Sequence, residues 1–121
     1  MSLPENENQV LLLHNPGCSK SRATLALLQE RGVEFEQRHY LEAPLTRDEL
    51  SELETRLARP PGEWLRRGEK ACRDAGLDES SEGAAILDAM VAHPILMERP
   101  IVVRGRAARV GRPPETVLEL F

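Results

Sequence analysis

The chain has 121 residues, two cysteines and a formal net charge of −4 at neutral pH. This length suits one domain with its own hydrophobic core, and 40% hydrophobic with 30% charged residues is an ordinary globular composition. These values exclude collagen-like, disordered and disulfide-scaffold proteins. No apolar run approaches the ~20 residues of a membrane-spanning helix, and the net acidity argues against nucleic acid as a partner.

The first part of the chain predicts a strand, a helix and a second strand. The apolar run at residues 10–13 is typical of a buried parallel strand, and the turn sequence His14-Asn15-Pro16-Gly17 follows it. A helix is predicted over residues 19–29 and a second strand over residues 33–40. Because this order forms a βαβ unit, we expect the two strands to be parallel.

The middle of the chain, residues 46–93, is predicted to be helical. Thr46 and Glu49 have the spacing of a capping box, and Leu45 and Leu50 suit a hydrophobic staple. Further helical segments are predicted over residues 69–77 and 82–93, and Trp64 is expected to pack in the core of this region.

The last part predicts a strand at residues 100–103, a strand at residues 107–110 in a hairpin with it, and a helix opened by Pro113-Pro114. The whole order is that of an α/β thioredoxin-like fold. It combines a mixed four-stranded sheet with a helical insertion, about residues 46–93, between the second and third strands. We therefore expect a single domain over residues 1–121.

Cys18 stands where the first turn meets the first helix. Unpaired N–H groups and the positive end of the helix dipole stabilise a thiolate there and lower the pKa of the thiol. Lys20 and Arg22 add positive charge, Ser21 lies on the same helix face, and the same N–H groups can bind an oxyanion. The sequence therefore favours a reactive thiol over a buried inert cysteine.

The sequence Cys18-Ser19-Lys20-Ser21 lacks the second thiol of a dithiol oxidoreductase. A thiol that resolves Cys18 must be Cys72 or belong to another molecule. Cys72 lies in a polar helical stretch and is expected to be incidental. No spacing typical of metal ligands is present, so no metal site is expected. The acidic N-terminus shows no signal peptide and predicts a cytoplasmic protein with reduced cysteines.

Arginines are concentrated near the end of the chain, where no acidic residue occurs over residues 99–114. Guanidinium groups hold tetrahedral oxyanions bidentately, so this stretch predicts an oxyanion site. The alternative is a solvated face of an arginine-rich protein, which is expected for Arg104, Arg106 and Arg109.

Four segments resemble the glutaredoxin-coupled arsenate reductase (ArsC) family, in order along nearly the whole chain. They are His14-Asn15-Pro16-Gly17-Cys18-Ser19-Lys20-Ser21-Arg22, residues 39–50, residues 93–103 and Arg112-Pro113-Pro114-Glu115. The family's fold is thioredoxin-like with a helical insertion. The best-characterised reductases carry Gly-Thr in place of Ser19-Lys20 and have a C-terminal extension, so the resemblance is to a less characterised, short branch.

The resemblance implies reduction of arsenate to arsenite through a covalent Cys18-arsenate adduct. Glutathione would be the co-substrate and glutaredoxin the protein partner, with no bound cofactor. His14 and Ser21 match residues that assist the thiolate, and Pro100 matches the cis-proline of the fold. The three oxyanion ligands of the family match Arg66, Arg99 and Arg112.

Three other functions remain open from the sequence. The chain could be a thiol oxidoreductase with another substrate, a glutathione-associated protein, or an Spx-like regulator that binds RNA polymerase. The regulators usually keep a Cys-x-x-Cys motif, which this sequence lacks.

Overall fold

The structure is a computed structural model that describes residues 3–121. The regular elements are β1 (Val10–His14), α1 (Ser19–Glu30), β2 (Glu36–His39), α2 (Arg47–Leu57), α3 (Lys70–Asp74), α4 (Gly83–Ala92), β3 (Ile101–Arg104) and β4 (Ala107–Val110). Short 3-10 helices lie at Pro61–Glu63, Pro94–Leu96 and Pro114–Leu120. The chain forms two compact units, one of residues up to Ala43 together with Arg99–Phe121 and the other of Pro44–Glu98.

The first unit contains a four-stranded sheet with the strand order β2-β1-β3-β4. β1 and β2 are parallel, with Leu12 opposite Gln37, whereas β3 runs antiparallel to both β1 and β4. This sheet confirms the predicted α/β class and the mixed four-stranded arrangement of the thioredoxin-like fold. It brings the end of β1, where Cys18 follows, alongside the beginning of β3.

The core of this unit lies between the sheet and α1. Val10, Leu12 and Val102 pack with Leu28 of α1 and with Val117 of the last 3-10 helix. The alternate residues Leu11, Leu13 and Val103 are also buried. The central strands are thus covered on both faces, which explains why β1 is a continuous apolar run.

Two predicted elements differ from the structure. β2 was expected over residues 33–40, but only Glu36–His39 pair with β1, while Val33 and Phe35 pack half-buried against the core. The parallel ladder begins at Leu11 opposite Glu36, so the residues before Glu36 have no strand partner in it. The final helix is a 3-10 helix rather than an α-helix.

The second unit contains the predicted helical insertion. The Glu49 N–H donates to Thr46 Oγ1 at 3.1 Å and the Thr46 N–H donates to Glu49 Oε1 at 2.9 Å, which confirms the capping box at the start of α2. Trp64 is fully buried and its indole N–H donates to the Arg59 carbonyl at 3.1 Å. This confirms the packing role expected for Trp64.

Candidate active site

Cys18 is the N-terminal cap residue of α1. A tight turn precedes it, in which the Cys18 N–H donates to the Asn15 carbonyl at 3.0 Å and the Gly17 N–H donates to Asn15 Oδ1 at 3.0 Å. The side chain of Cys18 makes no capping hydrogen bond, and the residue is 9% exposed. The sulfur is therefore held at the start of the helix, among the N–H groups that the helix leaves unpaired.

The pKa of the Cys18 thiol lies below its ordinary value. Burial raises this pKa, but the nearby backbone N–H groups of Ser21 and Lys20 and the Arg99 guanidinium lower it, because all three favour the charged thiolate. The donors outweigh the burial. The geometry therefore favours a thiolate at this position, the form in which cysteine is a nucleophile.

Arg112 is the second arginine beside the thiol. Its Nη2 lies 4.0 Å from Cys18 Sγ, and its Nε donates to the Arg99 carbonyl at 2.8 Å. The two arginines come together because Ile101 pairs with Val110 at the open end of the β3–β4 hairpin. Both Arg99–Pro100 and Arg112–Pro113 peptide bonds are cis, so Pro100 has the geometry proposed for it.

His14 and Ser21 connect β1 to α1 beneath the thiol. His14 Nδ1 lies 2.7 Å from Ser21 Oγ, and the same oxygen accepts a hydrogen bond from the Asn15 N–H at 3.0 Å. Burial lowers the pKa of His14, and the neighbouring His39 and Arg22 lower it further. The Ser21 hydroxyl therefore fixes the turn that precedes Cys18.

Arg22 supports the same turn. Its Nη1 donates to the Pro16 carbonyl at 2.8 Å. The ring of His39, which was not among the predicted site residues, lies 5.5 Å from that of His14. His39 could have been found from the strand register, because His14 and His39 lie opposite each other where the parallel strands β1 and β2 end.

Arg66 belongs to the second unit. Its N–H donates to the Leu96 carbonyl at 2.7 Å, and Nη1 and Nε contact Glu98 Oε1 at 2.9 Å and Glu69 Oε1 at 3.3 Å. The side chains of all three residues are 21–26% exposed. Two carboxylates thus fix the orientation of this guanidinium.

The remaining cysteine and arginines have local structural contacts. Cys72 is a buried free thiol in α3. Arg104 donates to the carbonyls of Glu7 and Leu120 and lies over the ring of Phe121, and Arg109 pairs with Glu119. Arg106 is exposed, and the side chains of Arg109 and Glu119 are 38% and 62% exposed, as expected for a solvated face. Arg104 differs, because it is half-buried by its contacts with Leu120 and Phe121.

A metal-binding cluster and a membrane-spanning helix each have requirements that can be compared with the described residues. Between residues 3 and 121, no group of three or more His, Cys, Asp or Glu side chains is placed to hold a metal ion. Over the same part of the chain, no helix has the length and apolar character needed to cross a membrane.

A thioredoxin-like sheet, a lone cysteine at the start of α1 and a cis-proline before β3 define a class of thioredoxin-like proteins with one thiol at the site. The sequence profile of the ArsC family matches residues 13–120. The chain belongs to the ArsC family.

Relatives of known sequence and structure span almost the whole chain. The uncharacterized protein YfgD of Escherichia coli K12 is 50% identical over 117 residues, which cover 93% of this chain and 96% of YfgD. The arsenate reductase of the same strain is 39% identical over 115 residues, which cover 94% and 82%. The structure of an arsenate reductase from Vibrio cholerae has a TM-score of 0.88 at 42% identity and covers 93% of this chain and 98% of that one.

Proposed function

We propose that this protein is a thiol-dependent arsenate reductase in which Cys18 is the nucleophile. The observation that carries the proposal is the setting of the Cys18 sulfur, which lies at the N-terminal cap of α1 with Arg112 Nη2 at 4.0 Å and the Arg99 guanidinium nearby. These groups stabilise a thiolate and are also the donors that a tetrahedral oxyanion needs. The similarity to arsenate reductases over nearly the whole chain supports arsenate as that oxyanion.

Arsenate binding in this proposal depends on the start of α1 and on arginines. The backbone N–H groups of Lys20 and Ser21 at the start of α1 are proposed to bind the oxyanion, and Arg99 and Arg112 add two positive charges beside the thiol. Arg66 is the third proposed ligand, as the family resemblance implies. Guanidinium groups suit this role because their planar fork matches two oxygens of an oxyanion.

The first chemical step is attack of the Cys18 thiolate on arsenic(V). A sulfur–arsenic bond forms and an arsenic–oxygen bond breaks, and the oxygen leaves as water after it takes up protons. Ser21 occupies the place of the second cysteine of a dithiol motif, and Cys72 is expected to be incidental, so an external thiol continues the reaction in this proposal. Glutathione is the proposed thiol.

The second stage supplies the electrons. A glutathione thiolate attacks the arsenic of the adduct, so that a second sulfur–arsenic bond forms and another oxygen leaves as water. The glutaredoxin thiolate then attacks the glutathione sulfur, forms a mixed disulfide that a second glutathione resolves, and leaves two electrons on arsenic. Water displaces Cys18 from arsenic(III), so arsenite is released and Cys18 returns to the thiolate. Overall, arsenate and two glutathione molecules give arsenite, one glutathione disulfide and water.

Selectivity for arsenate over phosphate comes from redox chemistry in this account. Both ions are tetrahedral and carry similar charge, so guanidinium groups and N–H groups bind them alike. Thiols reduce arsenic(V) but not phosphorus(V). Phosphate is therefore expected to bind as a competitive inhibitor that is not consumed.

The test is arsenite production by the purified protein with glutathione, with and without glutaredoxin, and in parallel with thioredoxin or dithiothreitol as the thiol donor. Arsenite formed with glutathione and glutaredoxin, and competition by phosphate, are the expected results. Arsenite with thioredoxin alone would overturn the assigned thiol partner but keep arsenate as substrate. No arsenite with any donor would overturn the proposed function.

A further inference from the structure

We propose that Gly111 and Thr24 are positioning residues that set the distance between Cys18 and its two arginines. The inference rests on the proposed use of Cys18 as the nucleophile. It concerns neither the thiol nor the guanidinium groups themselves, but the contact at which the helix carrying Cys18 meets the hairpin end carrying Arg99 and Arg112.

Gly111 is buried at this contact. A Cβ atom at Gly111 would lie 2.8 Å from Pro100 Cγ and 2.8 Å from Thr24 Oγ1, whereas ordinary contacts of a Cβ begin at 3.4 Å. Its backbone is not left-handed, because the positive-φ glycines of the described chain are Gly32, Gly76 and Gly105. Glycine is therefore needed here because of the space, and not because of the backbone conformation.

The neighbours of Gly111 belong to the site. Its N–H donates to the Pro100 carbonyl at 2.8 Å, which ties it to the residue after Arg99, and Arg112 follows it directly. The Arg112 Nε in turn donates to the Arg99 carbonyl. The two arginines and Gly111 thus form one hydrogen-bonded frame that rests on α1 through Thr24.

The frame formed by Arg99, Gly111 and Arg112 leaves little room for movement relative to α1. Relief of a 2.8 Å contact to 3.4 Å requires a shift of about 0.6 Å, the difference between the two distances. Arg112 Nη2 already lies 4.0 Å from Cys18 Sγ, at the outer limit of a hydrogen bond to sulfur. A displacement of that size, away from α1, therefore separates at least one guanidinium from the thiol.

Thr24 supplies the other side of the contact. It is fully buried in α1, and its Oγ1 has no hydrogen-bond partner among the residues that the structure describes. A buried hydroxyl without a partner costs folding free energy, so valine at this position is expected to be neutral or stabilising. The role of Thr24 at Gly111 is then one of shape, and the valine methyl group, slightly larger than the hydroxyl, would take the place of Oγ1 on the side that faces Gly111.

The experiment compares Gly111→Ala and Thr24→Val with the parent protein. For Gly111→Ala we expect a fall of about tenfold or more in kcat/KM for arsenate, together with a rise in the pH midpoint of Cys18 alkylation by iodoacetamide. Thr24→Val should slow alkylation about twofold or more, while its midpoint of urea unfolding stays at or above that of the parent. A general loss of packing in Thr24→Val would lower the urea midpoint as well as the alkylation rate. Slower alkylation at an unchanged or higher urea midpoint therefore supports the positioning role.

Two further variants complete the design. Thr24→Ala in the Gly111→Ala background removes one of the two close contacts and should recover part of the lost reactivity. Gly68→Ala is the matched control, since nothing lies within 4 Å of a Cβ there, and it should leave both measurements unchanged.

Alkylation needs no arsenate, so this test is separate from that of the proposed function. If the parent fails to reduce arsenate but Gly111→Ala shifts the pH midpoint of alkylation, the proposed function is overturned and the positioning role is supported. If both Gly111→Ala and Thr24→Val alkylate like the parent, the positioning role is overturned. Should Gly111→Ala fail to fold, Thr24→Val decides the question by the same criterion.

Discussion

At the scale of single residues, the reactivity of Cys18 depends on the polar groups around its sulfur. Burial by itself raises the pKa of the thiol, and the Ser21 N–H, the Arg99 guanidinium and the Lys20 N–H reverse that effect. Because the residue is only 9% exposed, little water is available to compensate for a lost donor. Each donor that is removed should therefore raise the pKa of Cys18.

The two cysteines are expected to differ in function. Cys18→Ser should abolish arsenite production, because a serine hydroxyl is not ionised at neutral pH and cannot form the sulfur–arsenic adduct that glutathione then attacks. Cys72→Ala should keep most of the activity; alanine is preferred to serine because Cys72 is buried and a hydroxyl would lack a partner there. Equal loss in both variants, measured as arsenite formed per minute, would instead indicate an internal Cys18–Cys72 redox cycle.

Arg99 and Arg112 should act as planar forks and not only as charges. Lysine keeps the charge but loses the fork, so Arg99→Lys or Arg112→Lys should lower kcat/KM for arsenate about tenfold or more, or about 1.4 kcal/mol of transition-state stabilisation. Arg106→Lys, on the exposed turn of the hairpin, is the control and should be near neutral. If all three variants reduce arsenate like the parent, the arginine site is wrong.

Arg66 should respond less to the same substitution. Its Nε and Nη1 already contact Glu69 and Glu98, so part of its fork is committed to carboxylates before any oxyanion arrives. We expect Arg66→Lys to lower kcat/KM less than Arg99→Lys does, in the same steady-state assay. If Arg66→Lys lowers kcat/KM as much as Arg99→Lys or more, the contacts with Glu69 and Glu98 do not limit the binding of the oxyanion by the Arg66 guanidinium.

At the scale of elements, the start of α1 depends on the hydrogen bonds of Ser21. Ser21→Ala removes the oxygen that contacts His14 at 2.7 Å and accepts from the Asn15 N–H at 3.0 Å. The turn before Cys18 should loosen, and iodoacetamide alkylation at neutral pH should slow several-fold. Ser19→Ala, at the exposed first position of α1, is the matched control and should alkylate like the parent. Equal rates in the two variants would contradict a role for the Ser21 hydroxyl.

Elements with local signals could be predicted from the sequence. The turn before Cys18 marks the start of α1, Thr46 and Glu49 mark the start of α2, and β4 has its predicted bounds, Ala107–Val110. The limits of β2 could not be predicted, because they depend on the register with β1 and not on the residues of β2. Phe35 has a typical strand side chain and still lies outside the ladder.

At the scale of the whole molecule, the sequence indicated the thiol, the arginines and the hairpin that brings the arginines together, but not the packing that holds them. The hairpin that brings Arg112 to the Arg99 carbonyl was predicted, whereas the contact at Gly111 depends on how α1 packs on the sheet. The interaction of Arg104 with Phe121 likewise depends on where the last turn folds back. Local patterns carry no information on such packing.

The buried His14 makes stability depend on pH. Its pKa is lowered in the folded protein, so below its ordinary value of 6.5 the unfolded chain takes up a proton at this residue more readily than the folded one. The free energy of unfolding should therefore fall as the pH is lowered from about 6.5. Urea unfolding across this range should show a shallower fall for His14→Asn than for the control His93→Asn. Identical pH profiles would contradict the assignment.

The most direct measurement of the central claim is the pH dependence of Cys18 alkylation, followed by mass spectrometry with and without arsenate. The account predicts a midpoint below the free-cysteine value of ~8.5, and slower alkylation when arsenate occupies the arginines and the start of α1. A midpoint at the free-cysteine value, or an alkylation rate that arsenate does not change, would contradict it.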